Sequence, residues 1–200
     1  MERYFVVYKP YKMLSQFVRM PKKRCLADLD FDFPEGTNAV GRLDENSEGL
    51  LILSTDKKLH ALLLKPENLH ERIYWVQVQF KVTGEQLKML EGGVTIKLDS
   101  GDYLTKPCTA RVIAPPAGLP VRERRPVRTD LETEWLELIL TEGKFHQVRK
   151  MCAGIGHQVF RLMRVAIEDL RLDNYQPGSV KEFTQKELYS LLNIPAPSAL

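Results

Sequence analysis

GRLDENSEGLLILSTD, residues 41–56, is a polar loop that runs straight into an apolar segment of strand length. Gly41 and Gly49 bound the loop, and residues 50–54 (LLILS) supply the strand. Asp56 stands where a helix N-cap belongs and Pro66 where a helix stops, so a helix is expected over residues 57–65. Loops fixed by a rigid element are favoured seats for functional side chains. Asp44 lies in this loop, and by itself an aspartate in such a loop reads as a residue that caps a turn.

The flanking sequence is dominated by strands. Residues 4–8 (YFVVY) read as a short buried strand ended by Lys9 and Pro10, and residues 11–40 as turn-rich and irregular. Residues 72–80 (RIYWVQVQF) alternate as a strand, with Tyr74, Val76, Val78 and Phe80 on one face. Further strands are expected over 94–98, 108–113, 135–141 and 158–165. Thr83 with Gln86, and Thr184 with Glu187, have capping-box spacing and open two helices. Another helix is expected over 145–153, before Gly154 and Gly156, and the tail after Asn193 is expected to be loose. This order argues for α+β with a mostly antiparallel mixed sheet, not a doubly wound parallel one.

Composition sets bounds on function. A chain of 200 residues suits one domain, or one domain in two lobes. Its 44% hydrophobic content is enough for a packed core. The 29 Lys+Arg against 26 Asp+Glu give a net charge of +3, a mild lean towards a polyanionic partner. Three widely spaced cysteines, Cys25, Cys108 and Cys152, indicate neither a disulfide framework nor a zinc knuckle. No signal-peptide pattern and no membrane-length apolar run is present, so a cytoplasmic protein with no membrane partner is expected.

Residues 41–56 resemble the signature of the pseudouridine synthases, G-R-L-D-x-x-S-E-G-L-L-x-L-[ST]-x-D, in the RsuA/RluB/RluE/RluF branch that acts on ribosomal RNA. Lys57 departs from that branch, which usually has Gly there. Lys9-Pro10 with Leu14-Ser15 is similar to the opening block of the family. RIYWVQV (72–78) is similar to its K-x-Y-x-V strand, with Arg72 for Lys. EGKFHQVRKM (142–151) and GHQVFRLMRV (156–165) resemble two later blocks. The resemblance covers about residues 4–192. It is nearest to short RluE-type large-subunit synthases: the opening block begins at Lys9, leaving no room for the S4 domain many relatives carry. It implies one catalytic domain over residues 1–200, with a two-lobed sheet, flanking helices and a catalytic cleft across the sheet.

The reaction it implies is isomerisation of a uridine in ribosomal RNA, most of all 23S RNA, so that the base hangs from C5 instead of N1. Nothing is oxidised or reduced, so no cofactor is expected. Asp44 takes the catalytic role, attacking C1′, stabilising a cation-like sugar or removing a sugar proton; the residues alone do not choose among these. By resemblance Arg149 is the guanidinium that keeps Asp44 ionised, and Tyr74 lies against the uracil ring. Arg42 enters the space that a flipped base leaves, and Leu162 lines an apolar floor. Without the resemblance, Arg149 reads as a solvated helix residue and Tyr74 as a core tyrosine.

Basic residues gather in two places: Arg122, Arg124, Arg125 and Arg128 in a Pro/Arg-rich loop, and Lys144, Arg149, Lys150, Arg161, Arg164 and Arg171 later. Such clusters neutralise phosphates. The expected partner is therefore ribosomal RNA or a pre-ribosomal particle, met as a monomer. His60, His70, His146 and His157 have no ligand spacing with a Cys or carboxylate, and no metal is expected. The competing readings are a non-catalytic RNA-binding or ribosome-assembly protein of the same fold, and a hydrolase using Asp44 with Glu45 or Glu48.

Overall fold

A computed structural model describes residues 1–65, 67–122, 131–174 and 176–195. It divides into two compact units: residues 1–70 with 164–200, and residues 71–163.

The first unit begins with β1 (Tyr4–Lys9), every residue of which is buried. Two short strands follow, β2 (Met13–Leu14) and β3 (Arg24–Cys25), which pair in parallel. Next come β4 (Asn38–Val40), of which only Val40 is buried, and β5 (Glu48–Ser54), which is wholly buried. The apolar runs of β1 and β5 satisfy each other's backbone as antiparallel neighbours, Tyr4 opposite Ser54 and Lys9 opposite Gly49. Strand β4 adds antiparallel to the end of β5, with Val40 opposite Ile52. Helix α1 (Lys57–Leu64) starts at Asp56, whose side chain accepts from the Lys58 N–H at 2.8 Å.

The second unit opens with β6 (Arg72–Gln79) and α2 (Gly84–Gly92), the latter entered through the Thr83/Gln86 capping box. The hairpin of β7 (Thr95–Leu98) and β8 (Gly101–Leu104) follows, then β9 (Thr109–Ile113) and β10 (Thr133–Leu140). Strand β10 pairs antiparallel with both β6 and β9. Helix α3 (Gln147–Gly154) packs its Val148, Met151 and Cys152 into a core with Val76, Val78, Leu136, Leu138 and Leu162.

Strand β11 (Val159–Ile167) begins in the second unit and ends in the first. The first unit is completed by β12 (Leu170–Arg171), β13 (Val180–Phe183) and α4 (Gln185–Leu191). Strand β13 pairs antiparallel with β1, Phe183 opposite Tyr4. Asp56 links three elements here: its Oδ2 accepts from Tyr4 Oη at 2.8 Å and from Tyr189 Oη at 3.0 Å. Burial alone raises the Asp56 carboxyl, but the hydrogen bonds from Tyr4, Lys58 and Tyr189 outweigh it and hold it below the ordinary range.

Three expectations change. Residues 11–40 hold β2, β3 and β4, too short for a periodic signal. Strand β6 stops at Gln79 because Phe80 takes a left-handed backbone, φ 63°. Helix α3 begins at Gln147, not 145, because His146 is left-handed at φ 54°. Arg124, Arg125 and Arg128 lie outside the described residues, as does the tail beyond residue 195.

Candidate active site

In the first unit, Asp44 sits four residues before β5, half-buried, on a loop held from both sides. Ser15 clamps the residue before it: its Oγ donates to the Leu43 carbonyl at 2.7 Å and accepts from the Leu43 N–H at 3.0 Å. The Ser47 N–H donates to the Asp44 carbonyl at 3.0 Å, and Ser47 Oγ lies 3.4 Å from Asp44 Oδ2. The Lys12 N–H donates to the Glu45 carbonyl at 2.8 Å, and Lys23 forms an ion pair with the Glu45 carboxylate. Gly49 closes the loop where only glycine fits. Its φ is +106°, and a Cβ there would lie 2.3 Å from the Arg164 carbonyl.

Beneath this loop lies Lys9, which the sequence marked only as the end of a strand and part of an opening block. It is fully buried, and its Nζ donates to the carbonyls of Met13 at 2.7 Å and Pro10 at 3.0 Å. Burial lowers the ammonium to about 7, although the carboxylates of Glu48, Asp44 and Glu45 pull it the other way. The Arg164 guanidinium adds to the lowering. Arg164 is itself buried, and its Nε donates to the Leu50 carbonyl at 2.9 Å. Arg42 is exposed and lines an open cavity at the start of the same loop.

In the second unit, Tyr74 is half-buried on β6 opposite Leu138 and packs against the core. Leu162 is 4% exposed in that core. The spacing of the 142–151 block has a local physical cause. Glu142 accepts from Tyr103 Oη at 2.6 Å, the Lys106 N–H at 2.9 Å and Gln147 Nε2 at 2.8 Å. Gln147 Oε1 in turn accepts from the Lys144 N–H at 2.8 Å. Burial raises the Glu142 carboxyl, but these donors outweigh it and keep it below the usual range. The turn into α3 is thereby fixed, and with it the direction of Arg149, half-buried on that helix. The Arg149 charge opposes burial at Cys152, which still drives that thiol up to about 12.

The remaining basic residues divide. Lys144 is exposed, with its Nζ over the Tyr103 ring at 4.7 Å. Lys150 donates to the Lys97 carbonyl at 2.6 Å and lies over the Phe145 ring at 5.1 Å. Arg161 and Arg164 are 3% and 4% exposed. Both are interior groups, less open than the basic cluster they belong to in the sequence. Among the described residues, no group of three or more His, Cys, Asp or Glu could hold a metal ion.

Unit 1 thus brings Asp44 and Arg164 close to Lys9 and also carries Arg42, and unit 2 carries Tyr74, Lys144, Arg149, Lys150, Arg161 and Leu162. Lys9 and Ser15 as supports of the loop were missed as functional residues. The only sequence signal was their place in one short block, Lys9-Pro10 with Leu14-Ser15.

Residues 3–154 match the RNA pseudouridylate synthase family. A ribosomal large subunit pseudouridine synthase E from Xanthomonas axonopodis pv. citri is 42% identical over 176 residues, covering 84% of this chain and 87% of the relative. One from Vibrio vulnificus is 38% identical over 187 residues, covering 92% and 76%. A crystal structure of a pseudouridylate synthase superposes with a TM-score of 0.77 over 96% of this chain and 74% of its own, at 23% identity, which bears on the fold. The chain belongs to the RNA pseudouridylate synthase family.

Proposed function

We propose that this enzyme isomerises one uridine of large-subunit ribosomal RNA, with Asp44 as its catalytic carboxylate. The relatives at about 40% identity are named for that RNA. The observation that carries the assignment to Asp44 is its support: a loop pinned at Leu43 by Ser15, closed at Gly49, and backed by the buried Lys9. A carboxylate held this way keeps its geometry through a reaction, which is what catalysis by positioning needs.

In the reaction the N1–C1′ bond breaks, the uracil turns, and C5 bonds to C1′. The proton on C5 leaves and N1 gains one, so atoms and electrons balance without any other reactant. The Asp44 carboxylate acts at the sugar, where positive charge develops as N1 departs. The Tyr74 ring serves as a surface for the uracil, and its hydroxyl is the group for moving the C5 proton. Arg149, on the helix whose entry the Glu142–Gln147 bond fixes, is the further residue assigned to catalysis. Lys144 contacts phosphate.

The test uses unmodified large- and small-subunit ribosomal RNA transcripts, with pseudouridine mapped by carbodiimide-dependent reverse-transcription stops. Wild type should give one dominant stop, in the large-subunit RNA. Asp44→Ala should give none. Arg149→Met should lose most of its turnover while RNA affinity stays within about threefold, since one charge among several phosphate contacts is removed. A stop retained in Asp44→Ala would overturn the assignment. A stop only in small-subunit RNA would overturn the substrate.

A further inference from the structure

The first unit contains an open cavity of about 510 Å³ that the reaction does not use. This is within the usual range of ligand pockets. Arg42 lines it, but Asp44 does not. It is therefore distinct from the seat of Asp44 itself.

The lining has three kinds of surface. One wall is Phe17, half-buried and anchored against the Phe33 ring at 5.3 Å between centroids and 72° between planes. Two carboxamides, Gln16 and Asn38, are held by their own NH₂ groups. Gln16 Nε2 donates to the Val18 carbonyl at 2.9 Å, and Asn38 Nδ2 to the Gly36 carbonyl at 2.8 Å. Their oxygens remain as acceptors. The third kind is Arg42, Lys57 and His60, none of which has a side-chain hydrogen bond or ion pair among the described residues. The carboxylate in the lining, Asp56, is committed to Tyr4, Tyr189 and the Lys58 N–H. Its acceptor positions are thus largely taken by these three donors, although its charge remains in the lining.

A flat apolar wall, fixed hydrogen-bond acceptors and two cations, Arg42 and Lys57, without a hydrogen-bonded counter-ion suit a planar base joined to a phosphate. Aromatic faces with nearby cations are how single-stranded nucleic acid is held. Arg42 is two residues from Asp44, so their Cα atoms are at most about 7 Å apart, and a phosphate held by Arg42 belongs to the strand on which Asp44 acts. We propose that the cavity takes an unstacked nucleotide flanking the target uridine, its base on Phe17 and against Gln16 and Asn38, its phosphate on Arg42 and Lys57. It reads sequence next to the modified position. This rests on the functional reading above and adds a specificity subsite to it.

The experiment uses the full chain and short transcripts centred on the mapped uridine, each with one base changed at one of the four positions on either side. Wild type should show a KM that rises about tenfold or more for changes at one flanking position, a typical return for one stacked and hydrogen-bonded base. In Asn38→Ala and Phe17→Leu that preference should flatten to within about twofold, while kcat at saturating RNA stays within about twofold. Lys57→Ala, at an exposed position, should raise KM several-fold on every transcript alike. Melting curves show whether Phe17→Leu is folded, and Asn38→Ala and Lys57→Ala carry the test if it is not. Unchanged KM and unchanged flank preference in these variants, with wild type active, would overturn the subsite alone. No product from wild type on any RNA would overturn the functional reading and the subsite with it.

Discussion

Lys9 is the residue whose chemistry departs furthest from expectation. A buried amine lowered to about 7 binds fewer protons in the fold than in the unfolded chain, where Lys titrates near 10.4. Stability therefore rises with pH between these two values, because the penalty for burying the charged form fades. The window is cut short at its top, since Cys108 and Cys152 are raised by burial to about 11 and about 12 and act with the opposite sign once unfolded thiols ionise. Denaturant unfolding should thus show stability climbing from about pH 7 to about pH 8.5 in wild type, with the climb absent in Lys9→Met. An equal climb in both would show that Lys9 is not the source. Ser15 makes a second residue-scale test. Ser15→Ala loses both bonds to Leu43 and should cost about 1–3 kcal/mol of stability. It should also lower kcat about tenfold with RNA affinity unchanged, as for a positioning residue. If affinity falls with kcat, Ser15 contacts RNA instead. Neither role was legible in the residues: a lysine after YFVVY and a serine in a turn-rich stretch carry no sign of burial or of a partner 28 positions away. Asp44, by contrast, stood out through its surroundings, and only the run of matching residues lifted it above an ordinary turn aspartate.

At the scale of elements, local signals were read well where a side chain closes on its own backbone. The boxes at Thr83/Gln86 and Thr184/Glu187 and the Asp56 cap all form. Their spacing is fixed by helix geometry, so sequence alone suffices. The short strands β2, β3, β4 and β8 were not foreseen, since two to four residues cannot show a period and their partners are distant. The start of α3 was misplaced because His146 takes a left-handed backbone that its residue type does not announce. Gly49 gives the element-scale prediction. Gly36 and Gly49 both have positive φ, but a Cβ at Gly36 meets nothing within 4 Å while one at Gly49 meets the Arg164 backbone. Gly36→Ala should cost about 1 kcal/mol, the backbone penalty alone. Gly49→Ala should cost at least about 3 kcal/mol, because a packed strand must move. Equal losses in chemical denaturation would mean that β5 and β11 do not approach as closely as described.

For the whole molecule, the α+β class followed from strand runs with capped helices between them, and the strands do pair mostly antiparallel. The return of residues 164–200 to the first unit did not follow, because the pairing of Tyr4 with Phe183 leaves no trace in either segment. The second basic cluster also looked more open than it is, with Arg161 and Arg164 turned inward. What remains for the enzyme as a whole is the proposal that its chemistry depends on the Asp44 carboxylate. The direct measurement is the single-turnover rate of pseudouridine formation by Asp44→Asn, which keeps the shape of the side chain and removes its charge. The expected result is a rate at least about four orders of magnitude below wild type, with melting temperature and RNA affinity essentially preserved. A rate within about tenfold of wild type, in enzyme freshly checked for deamidation back to aspartate, would contradict the account.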